Sequence, residues 1–272
     1  MSKRIIVCKK IKTKGYQIWF NESFGELIHN LLDILDSLNF FNNDPRVEAI
    51  KISKKAVSLK INSVFMKITN YPLFEGIFRH LLLRQRCRNS WSISLTAIEM
   101  GIPVPTPMFY LERLYYGLPW QNIFASEYIP DSVDVEIFAK KFVKSNQLDR
   151  LENMLHEIVR ITSLLWSHKL LHRDLSGKNI LTIDGVNLFL VDLDSVKRCK
   201  KISLKDKIKN LTQLYDSFCD FVEEELLRSC IFSLLPEFNN DDKERIYYKV
   251  RELQLHRRHN HIRNLSRKLN EL

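Results

Sequence analysis

The sequence predicts an α+β protein of two lobes, a small lobe of antiparallel strands with one long helix and a larger, mainly helical lobe. Strand-like segments dominate the chain up to about residue 129. The clearest amphipathic helical pattern, residues 148–170, lies beyond that point. Pro130-Asp131 ends the last strand-like run, so we place the lobes at 1–129 and 130–272.

Composition limits the class of protein. With 272 residues, 45% hydrophobic and 27% charged, the chain is typical of a soluble globular protein with an ample core. Its net charge of +10 and pI near 9.3 favour an anionic partner, such as a nucleotide, a phosphorylated substrate, a membrane surface or nucleic acid. Charge alone does not choose among these.

Cysteine usage and hydropathy bear on the compartment. The five cysteines are odd in number, widely spread and without a C-x-x-C pair, which favours a reducing environment. The apolar run near the N-terminus is too short for a signal peptide, and no later run approaches the length of a membrane span. We expect a cytoplasmic protein that can sit on a membrane surface without crossing it.

The small lobe contains most of the predicted strands. An extension comes first, with a strand pair at 5–7 and 16–20 and a helix at about 22–38. The later strands are predicted at 47–52, 56–61, 63–68, 108–114 and 123–129. The long helix at about 73–100 ends at Gly101-Ile-Pro-Val-Pro105, because proline lacks an amide donor and restrains the preceding residue.

A segment of the second lobe carries the pattern of a phosphoryl-transfer loop. His172-Arg173-Asp174 and Asn179 match H-R-D-x-x-x-x-N, in which the aspartate accepts the hydroxyl proton and the asparagine holds a metal ion. The second carboxylate that such a metal needs is predicted to be Asp192. We take Asp174, His172 and Arg173 as the candidate catalytic residues, with Asp174 as the base. We expect His172 to pack or form hydrogen bonds rather than bind a metal.

The residues between Asn179 and Asp192 support this interpretation. Residues 179–184 and 186–191 are two short strand patterns joined at Asp184-Gly185, a favoured tight-turn pair. Such a hairpin returns Asn179 and Asp192 to the same end of a sheet. The alternative is a loop in which the polar side chains only cap local backbone. The hairpin in the correct order favours the phosphotransferase.

Contacts with the phosphates are expected from the first lobe. Lys67 lies near the end of the strand predicted at 63–68, and it is the candidate for the lysine that holds the α- and β-phosphates. Lys60 is the second choice. An outward-facing lysine on an amphipathic strand is the alternative. Ser53, Lys54 and Lys55 form the turn where a phosphate-covering loop belongs, although the turn lacks glycine.

Two further parts of a nucleotide site follow from the pattern. Glu127, Tyr128 and Ile129 are the candidate segment facing the adenine, with a plain linker as the alternative. A kinase-like lobe also needs a helix glutamate as the partner of its strand lysine. Glu75 and Glu99 lie near the two ends of the long helix and neither is convincingly placed, so the partner is unassigned.

The C-terminal part bears on the acceptor. The segment after Asp192 is short and lacks Ala-Pro-Glu, with which protein kinases end the segment that seats a peptide. A small-molecule or glycan hydroxyl is therefore favoured. The Lys- and Arg-rich tail, 243–272, is either a solvated helix face or a contact for an anionic surface. It lacks the aromatic interleaving that stacks bases, so nucleic acid is not the expected partner.

Together these residues resemble the bacterial lipopolysaccharide core kinases, which phosphorylate heptose or 3-deoxy-D-manno-octulosonic acid and have a protein-kinase-like fold. The resemblance covers most of residues 47–235. In addition to the 172–181 loop, it rests on Val64–Lys67, Arg88-Asn-Ser-Trp91, Gly101-Ile-Pro-Val-Pro105, Glu127-Tyr128, Val191–Asp194 and Lys209–Leu214.

The resemblance implies an enzyme that uses ATP and Mg²⁺, held between a nucleotide-binding lobe and a catalytic lobe. It implies Asp174 as the base, Asn179 and Asp192 as Mg²⁺ ligands, Lys67 as the phosphate lysine and residues 127–130 as the hinge. The acceptor it implies is the anionic lipopolysaccharide core, reached at the cytoplasmic face of the inner membrane.

The sequence departs from the kinase pattern in several places. Asp192-Leu193-Asp194 replaces Asp-Phe-Gly, Ser176 stands where protein kinases carry a lysine, and the phosphate loop has no glycine. The glycine-poor loop and the unassigned glutamate keep a nucleotide-binding pseudokinase as an alternative. A protein Ser/Thr kinase and a basic nucleic-acid-binding module are the others.

Overall fold

A computed structural model describes residues 6–28, 47–53, 56–69, 71–82 and 86–270. They divide into two compact units. The first runs to Pro130 and includes Asp192–Val196 from further along the chain, while the second comprises residues 131–191 and those from 197 onward. Both carboxylates of Asp192-Leu193-Asp194 therefore belong to the unit that contains Lys67.

The first unit is built on one seven-stranded antiparallel sheet. Its strands are β1 (Cys8–Lys12), β2 (Tyr16–Asn21), β3 (Val47–Ile52), β4 (Ala56–Ile61), β5 (Val64–Thr69), β6 (Pro107–Tyr115) and β7 (Leu118–Glu127). They are arranged in the order β1-β2-β6-β7-β5-β4-β3. Lys67 is thus on a central strand, between the neighbours β7 and β4.

Two described helices belong to this unit, α1 (Leu73–Leu82) and α2 (Arg86–Glu99). They fall within the stretch predicted as one long helix, and residues 83–85 between them lie outside the described part. Gly76 of α1 approaches β7 closely, since a Cβ atom there would lie 2.1 Å from the carbonyl oxygen of Trp120. α2 contributes Cys87 and Trp91 to a cluster with Tyr110 and Phe124 of the sheet.

The alternation of side chains along β5 decides where Lys67 points. Val64, Met66 and Ile68 are buried in the main core of the unit. Lys67 has the opposite parity, and it pairs with Phe124 of β7 in the sheet register. Because paired residues share a face of the sheet, Lys67 lies on the side against which α2 packs.

Three predictions for this unit change. The first strand is Cys8–Lys12 rather than 5–7, and all of its side chains are exposed. Of the helix predicted at 22–38, the described part consists of a 3₁₀ turn at Glu22–Phe24 and helical residues up to 28. The rest of it lies outside the described residues. The last strand, β7, begins earlier than the predicted 123–129 and ends at Glu127.

The second unit is mainly helical. Its helices are α3 (Val135–Lys144), α4 (Leu148–Ser167), α5 (Leu204–Phe218), α6 (Glu224–Ser233) and α7 (Asn240–Asn270). Its short strands are β8 (Val133–Asp134), β9 (Leu170–His172), β10 (Ile180–Thr182), β11 (Leu188–Leu190) and β12 (Val196–Arg198), whose first residue belongs to the first unit. α4 buries the predicted stripe, including Leu151, Leu155, Ile158 and Ile161. None of the helices in the described ranges has the length and apolar character needed to span a bilayer.

The hairpin that leads to Asp192 is confirmed, but its turn is wider than predicted. β10 and β11 pair antiparallel, and the last pair of the ladder is Thr182 with Leu188. The connection is held by Asp184, whose carboxylate accepts hydrogen bonds from the amides of Val186 and Asn187, both at 2.8 Å. These two bonds favour a longer turn than Asp-Gly alone would form.

Candidate active site

Lys67 is the centre of an ionic cluster within the first unit. Its Nζ atom lies 2.8 Å from Oδ2 of Asp194 and 2.9 Å from Oδ1 of Asp192. The Asp194 side chain is only 7% exposed, whereas that of Asp192 is 38% exposed. The structure thus brings together the lysine and the metal-binding aspartate predicted from the sequence. It adds Asp194, which is not among the site residues predicted from the sequence.

The charge state of Lys67 follows from two opposing effects. Burial lowers the pKa of its ammonium group, but the carboxylates of Asp194 and Asp192 raise this pKa further, through their charge and their hydrogen bonds. The pKa of Lys67 is therefore above its ordinary value. Lys67 carries a positive charge at neutral pH, as a residue that contacts phosphate oxygens requires.

The backbone at Asp192 adopts a conformation that is rare for a residue with a side chain. Its φ of 57° and ψ of 43° place it in the left-handed region, which costs free energy outside glycine. A 3₁₀ turn, Leu193–Ser195, follows directly. The amide and hydroxyl of Ser195 donate to the carbonyl oxygen of Asp192 at 3.1 and 3.0 Å. This turn allows both aspartates to reach the same ammonium group.

In the second unit, His172 is fully buried and orders the loop that carries Asp174. Its Nε2 atom lies 3.1 Å from the carbonyl oxygen of Val191, and its Nδ1 atom lies 3.3 Å from the amide nitrogen of Asp174. A carbonyl oxygen only accepts and an amide only donates, so the neutral tautomer with hydrogen on Nε2 satisfies both contacts. His172 therefore acts on the loop through hydrogen bonds.

Asp174 and Asn179 contact each other directly. The Asn179 Nδ2 group donates to the Asp174 carbonyl oxygen at 2.7 Å and to Asp174 Oδ2 at 3.2 Å. The backbone carbonyl of Asn179 accepts from the amide of Val191 at 2.9 Å, at the end of the hairpin. Because Nδ2 makes both bonds to Asp174, Oδ1 is the side-chain atom of Asn179 that a cation would meet. Arg173 and Asp174 are both exposed.

Two polar residues of α5 hold this loop, and they were not among the predicted site residues. Gln213 accepts the amide hydrogen of Leu175 at 3.1 Å through Oε1 and donates from Nε2 to the carbonyl oxygen of Arg173 at 2.9 Å. Asn210 donates to the carbonyl oxygen of His172 at 2.7 Å. Both side chains are buried. The available signal was an Asn and a Gln, three residues apart, on the apolar face of an amphipathic helix.

The predicted phosphate turn is described only in part. Lys54 and Lys55 lie outside the described residues. The hydroxyl of Ser53 donates to the carbonyl oxygen of Ala56 at 2.8 Å and accepts its amide at 3.1 Å, so it closes the turn between β3 and β4. Lys60, the second choice for the phosphate lysine, pairs with Glu48 at 2.9 Å and lies over the ring of Tyr128. Because Lys60 is engaged in these contacts, Lys67 remains the better candidate for the lysine that binds the phosphates.

In the predicted hinge, the first two backbone amides already donate hydrogen bonds to other backbone groups of the protein. The amide of Glu127 donates to the carbonyl oxygen of Thr106, and the amide of Tyr128 donates to that of Ser63, both at 2.8 Å. Ile129 is buried. A base that met Glu127 or Tyr128 would therefore find backbone carbonyl groups rather than free amide hydrogens.

The available oxygen atoms fit a magnesium ion. Mg²⁺ prefers oxygen ligands and usually keeps several waters and substrate phosphates, so it needs few protein ligands. Of the predicted ligands, Asp192 carries a carboxylate in the first unit and Asn179 carries an amide oxygen in the second. Within the described ranges, no three His, Cys, Asp or Glu side chains form a group that could hold a metal. Each of the two predicted ligands therefore carries the type of donor atom that Mg²⁺ prefers.

Comparison with known proteins identifies the family. A model of the lipopolysaccharide kinase (Kdo/WaaP) family matches residues 46–248, which is well over half of the chain. The chain belongs to the lipopolysaccharide kinase (Kdo/WaaP) family. Membership of this family supports a kinase that acts on a sugar of the lipopolysaccharide core, which confirms the function predicted from the sequence.

The fold of this lipopolysaccharide kinase family member is similar to that of a solved structure. A structure of WaaP in complex with acyl carrier protein matches it with a TM-score of 0.65, covering 88% of this chain and 97% of that chain at 17% sequence identity. At this identity the likeness concerns the fold alone. The predicted α+β, protein-kinase-like fold is thereby confirmed. No curated protein sequence matches the chain significantly.

Proposed function

We propose that the protein transfers the γ-phosphoryl group of ATP to a sugar hydroxyl of the lipopolysaccharide inner core. The observation that carries this proposal is the 2.9 Å contact between Nζ of Lys67 and Oδ1 of Asp192, residues far apart in sequence. A phosphate-binding lysine beside a metal-binding aspartate is what a magnesium-nucleotide site requires. Family membership supplies the class of acceptor.

The residues have distinct roles in this proposal. Lys67 contacts the α- and β-phosphates of ATP, and Asp192 and Asn179 provide oxygen ligands for Mg²⁺. The ion, when bound, neutralises part of the negative charge on the phosphates. Asp174 orients the acceptor hydroxyl and accepts its proton. The acceptor oxygen bonds to the γ-phosphorus as the bond from that phosphorus to ADP breaks, so atoms and charge balance.

We further propose an anionic glycolipid as the acceptor, met at the cytoplasmic face of the inner membrane. The net charge of +10 supports this, but the basic tail contributes less than its sequence suggests. Arg258 is held by Asp216 and Asp220 within the protein, and Arg251 pairs with Glu224. The exposed Lys200 and Lys201 are better placed to attract an anionic group.

The test is ATP consumption with Mg²⁺ by the wild type, Asp174→Asn and Asp149→Asn, with deacylated lipopolysaccharide core, with a peptide mixture and without acceptor. Asp149 is an exposed carboxylate in the first turn of α4 and serves as the matched control. We expect core-dependent turnover that falls by roughly 10²- to 10⁴-fold in Asp174→Asn, the range for a lost general base. Asp149→Asn should match the wild type.

Other outcomes identify the alternatives. Phosphate incorporation into peptide but not into core would indicate a protein kinase. ATP binding without turnover by any variant would indicate a pseudokinase. Steeply salt-dependent binding to DNA or RNA that survives Asp174→Ala would indicate a basic nucleic-acid-binding module. Each of these results would overturn the proposed reaction.

A further inference from the structure

The two described helices of the first unit, α1 and α2, do not supply the carboxylates that contact Lys67. The stretch 73–99 contains only two acidic residues, Glu75 and Glu99. Glu75 forms an ion pair with Arg79 at 2.7 Å on α1. Glu99 is the last residue of α2. Partial burial raises the pKa of the Cys8 thiol, and the negative charge of Glu99 raises this pKa further. Among the described residues, the carboxylates that contact Lys67 come from the 192–194 turn instead.

Asp194 has the properties that such a partner needs. It makes the shorter of the two contacts with Lys67, 2.8 Å, and is far more buried than Asp192. Asp192 has been assigned to Mg²⁺, so it cannot give its full charge to Lys67 when the ion is bound. Asp194 would remain as the carboxylate that holds the ammonium group in place. A buried carboxylate makes a stronger charge-assisted hydrogen bond than an exposed one.

The helix still controls the lysine, but through an amide rather than a carboxylate. The Nδ2 group of Asn89 on α2 donates to the carbonyl oxygens of Leu193, Asp194 and Val196, at 3.2, 3.1 and 2.8 Å. Two residues earlier, the thiol of Cys87 donates to the carbonyl oxygen of Lys67 at 3.3 Å. One turn of α2 therefore contacts the backbone on both sides of the ion pair.

We propose that Asp194 is the positioning residue of Lys67, in the role of the missing helix glutamate, and that Asn89 transmits the position of α2 to it. This inference rests on the proposed use of Lys67 to bind nucleotide phosphates. It differs from the kinase pattern, in which the carboxylate itself lies on the helix. In this protein, helix, turn and lysine form one connected unit.

A double-mutant cycle on MgATP binding tests the inference. The variants are Lys67→Met, Asp194→Asn and their combination, and the controls are Glu75→Gln and Glu99→Gln. We expect Asp194→Asn to raise the Kd for MgATP and lower kcat/KM by about 10- to 100-fold, the effect of losing a charge-assisted hydrogen bond. In the Lys67→Met background, Asp194→Asn should add almost nothing, because it acts through Lys67. The two glutamate variants should bind like the wild type.

Asn89→Leu provides a second route to the same answer should Asp194→Asn fold poorly. It keeps the size of the side chain and removes the three bonds, so it should weaken MgATP binding in the wild type but not in Lys67→Met. Independent, multiplying effects of Asp194→Asn and Lys67→Met would overturn the inference, as would an equal loss in Glu75→Gln or Glu99→Gln. A wild type that binds MgATP without phosphorylating core would overturn the proposed reaction while the cycle in Kd still decides the role of Asp194. A wild type that binds no nucleotide would overturn both.

Discussion

The imidazole of His172 donates a hydrogen bond from Nε2 to the carbonyl oxygen of Val191 at 3.1 Å. This contact joins the start of the loop proposed to be catalytic to the end of the hairpin that leads to Asp192. His172→Phe keeps the buried volume but removes this bond and the one to the amide of Asp174. We expect a loss of about 1–3 kcal/mol in the free energy of unfolding, together with a lower kcat. Urea denaturation and steady-state kinetics measure both. His168→Phe, at an exposed position, is the control, and an equal loss there would contradict the interpretation.

Gln213 fixes the backbone on both sides of Asp174. Gln213→Met removes the acceptor for the Leu175 amide and the donor for the Arg173 carbonyl while nearly preserving volume. We expect kcat to fall by roughly 10-fold or more, because Asp174, the proposed base, would lose its alignment with the acceptor hydroxyl. The Kd for ATP should stay near the wild-type value, since Gln213 contacts the backbone beside Asp174 and not Lys67. Lys209→Met, on an exposed part of the same helix, should leave kcat unchanged. Equal changes in kcat and Kd would show general damage to the fold.

Cys87 should resist alkylation in the folded protein. Burial raises the pKa of its thiol to about 12, so the thiol remains protonated at pH 8 and donates its hydrogen to the carbonyl oxygen of Lys67. Cys230, whose pKa burial raises to about 11, should also be protected. The exposed Cys8 and the half-buried Cys199 should react before the buried thiols, and all five cysteines should react after unfolding. Mass-spectrometric mapping after iodoacetamide treatment gives the order. Modification of Cys87 at the rate of Cys199 would contradict its burial.

Arg258 should stabilise the protein in a pH-dependent way. Its hydrogen bonds to Asp220 lower the pKa of that carboxyl below the ordinary value of 3.8. A lowered pKa means that the stabilisation is complete above the pKa of the unfolded state and is lost as the pH falls through the folded pKa. Arg258→Met should therefore cost about 1 kcal/mol at pH 7, a low value because both groups are partly exposed. The difference from the wild type should shrink below pH 3.8. Urea unfolding at pH 7 and pH 3 measures it, with Arg263→Met as the control. A difference that grew in acid would have the wrong sign.

Elements marked by local sequence signals could be predicted. The strands around Lys67 alternate apolar and polar residues, and α4 has a continuous apolar stripe. These two periodicities predict a strand and a helix directly from the sequence. β1 has exposed side chains throughout, because it is an edge strand of the sheet, and therefore carries no such signal. The hairpin was predictable from its alternation, whereas its turn depends on how the Asp184 carboxylate bonds to two amides.

In the candidate site, too, some residues could be predicted from a local motif and others could not. The loop motif pointed to Asp174, Asn179 and Asp192 because the chemistry fixes their spacing. Asp194 could not be selected, because its contact with Lys67 depends on the left-handed backbone at Asp192 and the 3₁₀ turn after it. Gln213 acts on backbone groups, which no residue pattern near Asp174 can reveal. Supporting contacts of this kind require the tertiary structure.

The return of Asp192–Val196 to the first unit limits how the protein can be divided. A fragment that ended at Pro130 would contain Lys67 but neither of its carboxylate partners. A mostly buried ammonium group without a counterion is costly, so such a fragment should be poorly stable even though its sheet is complete. Conversely, a fragment starting at residue 131 would carry a segment whose packing partner is missing. Any engineered division of the protein would therefore have to keep Asp192–Val196 with the sheet. This applies to the expression of separate lobes, to circular permutation and to domain exchange with a related kinase.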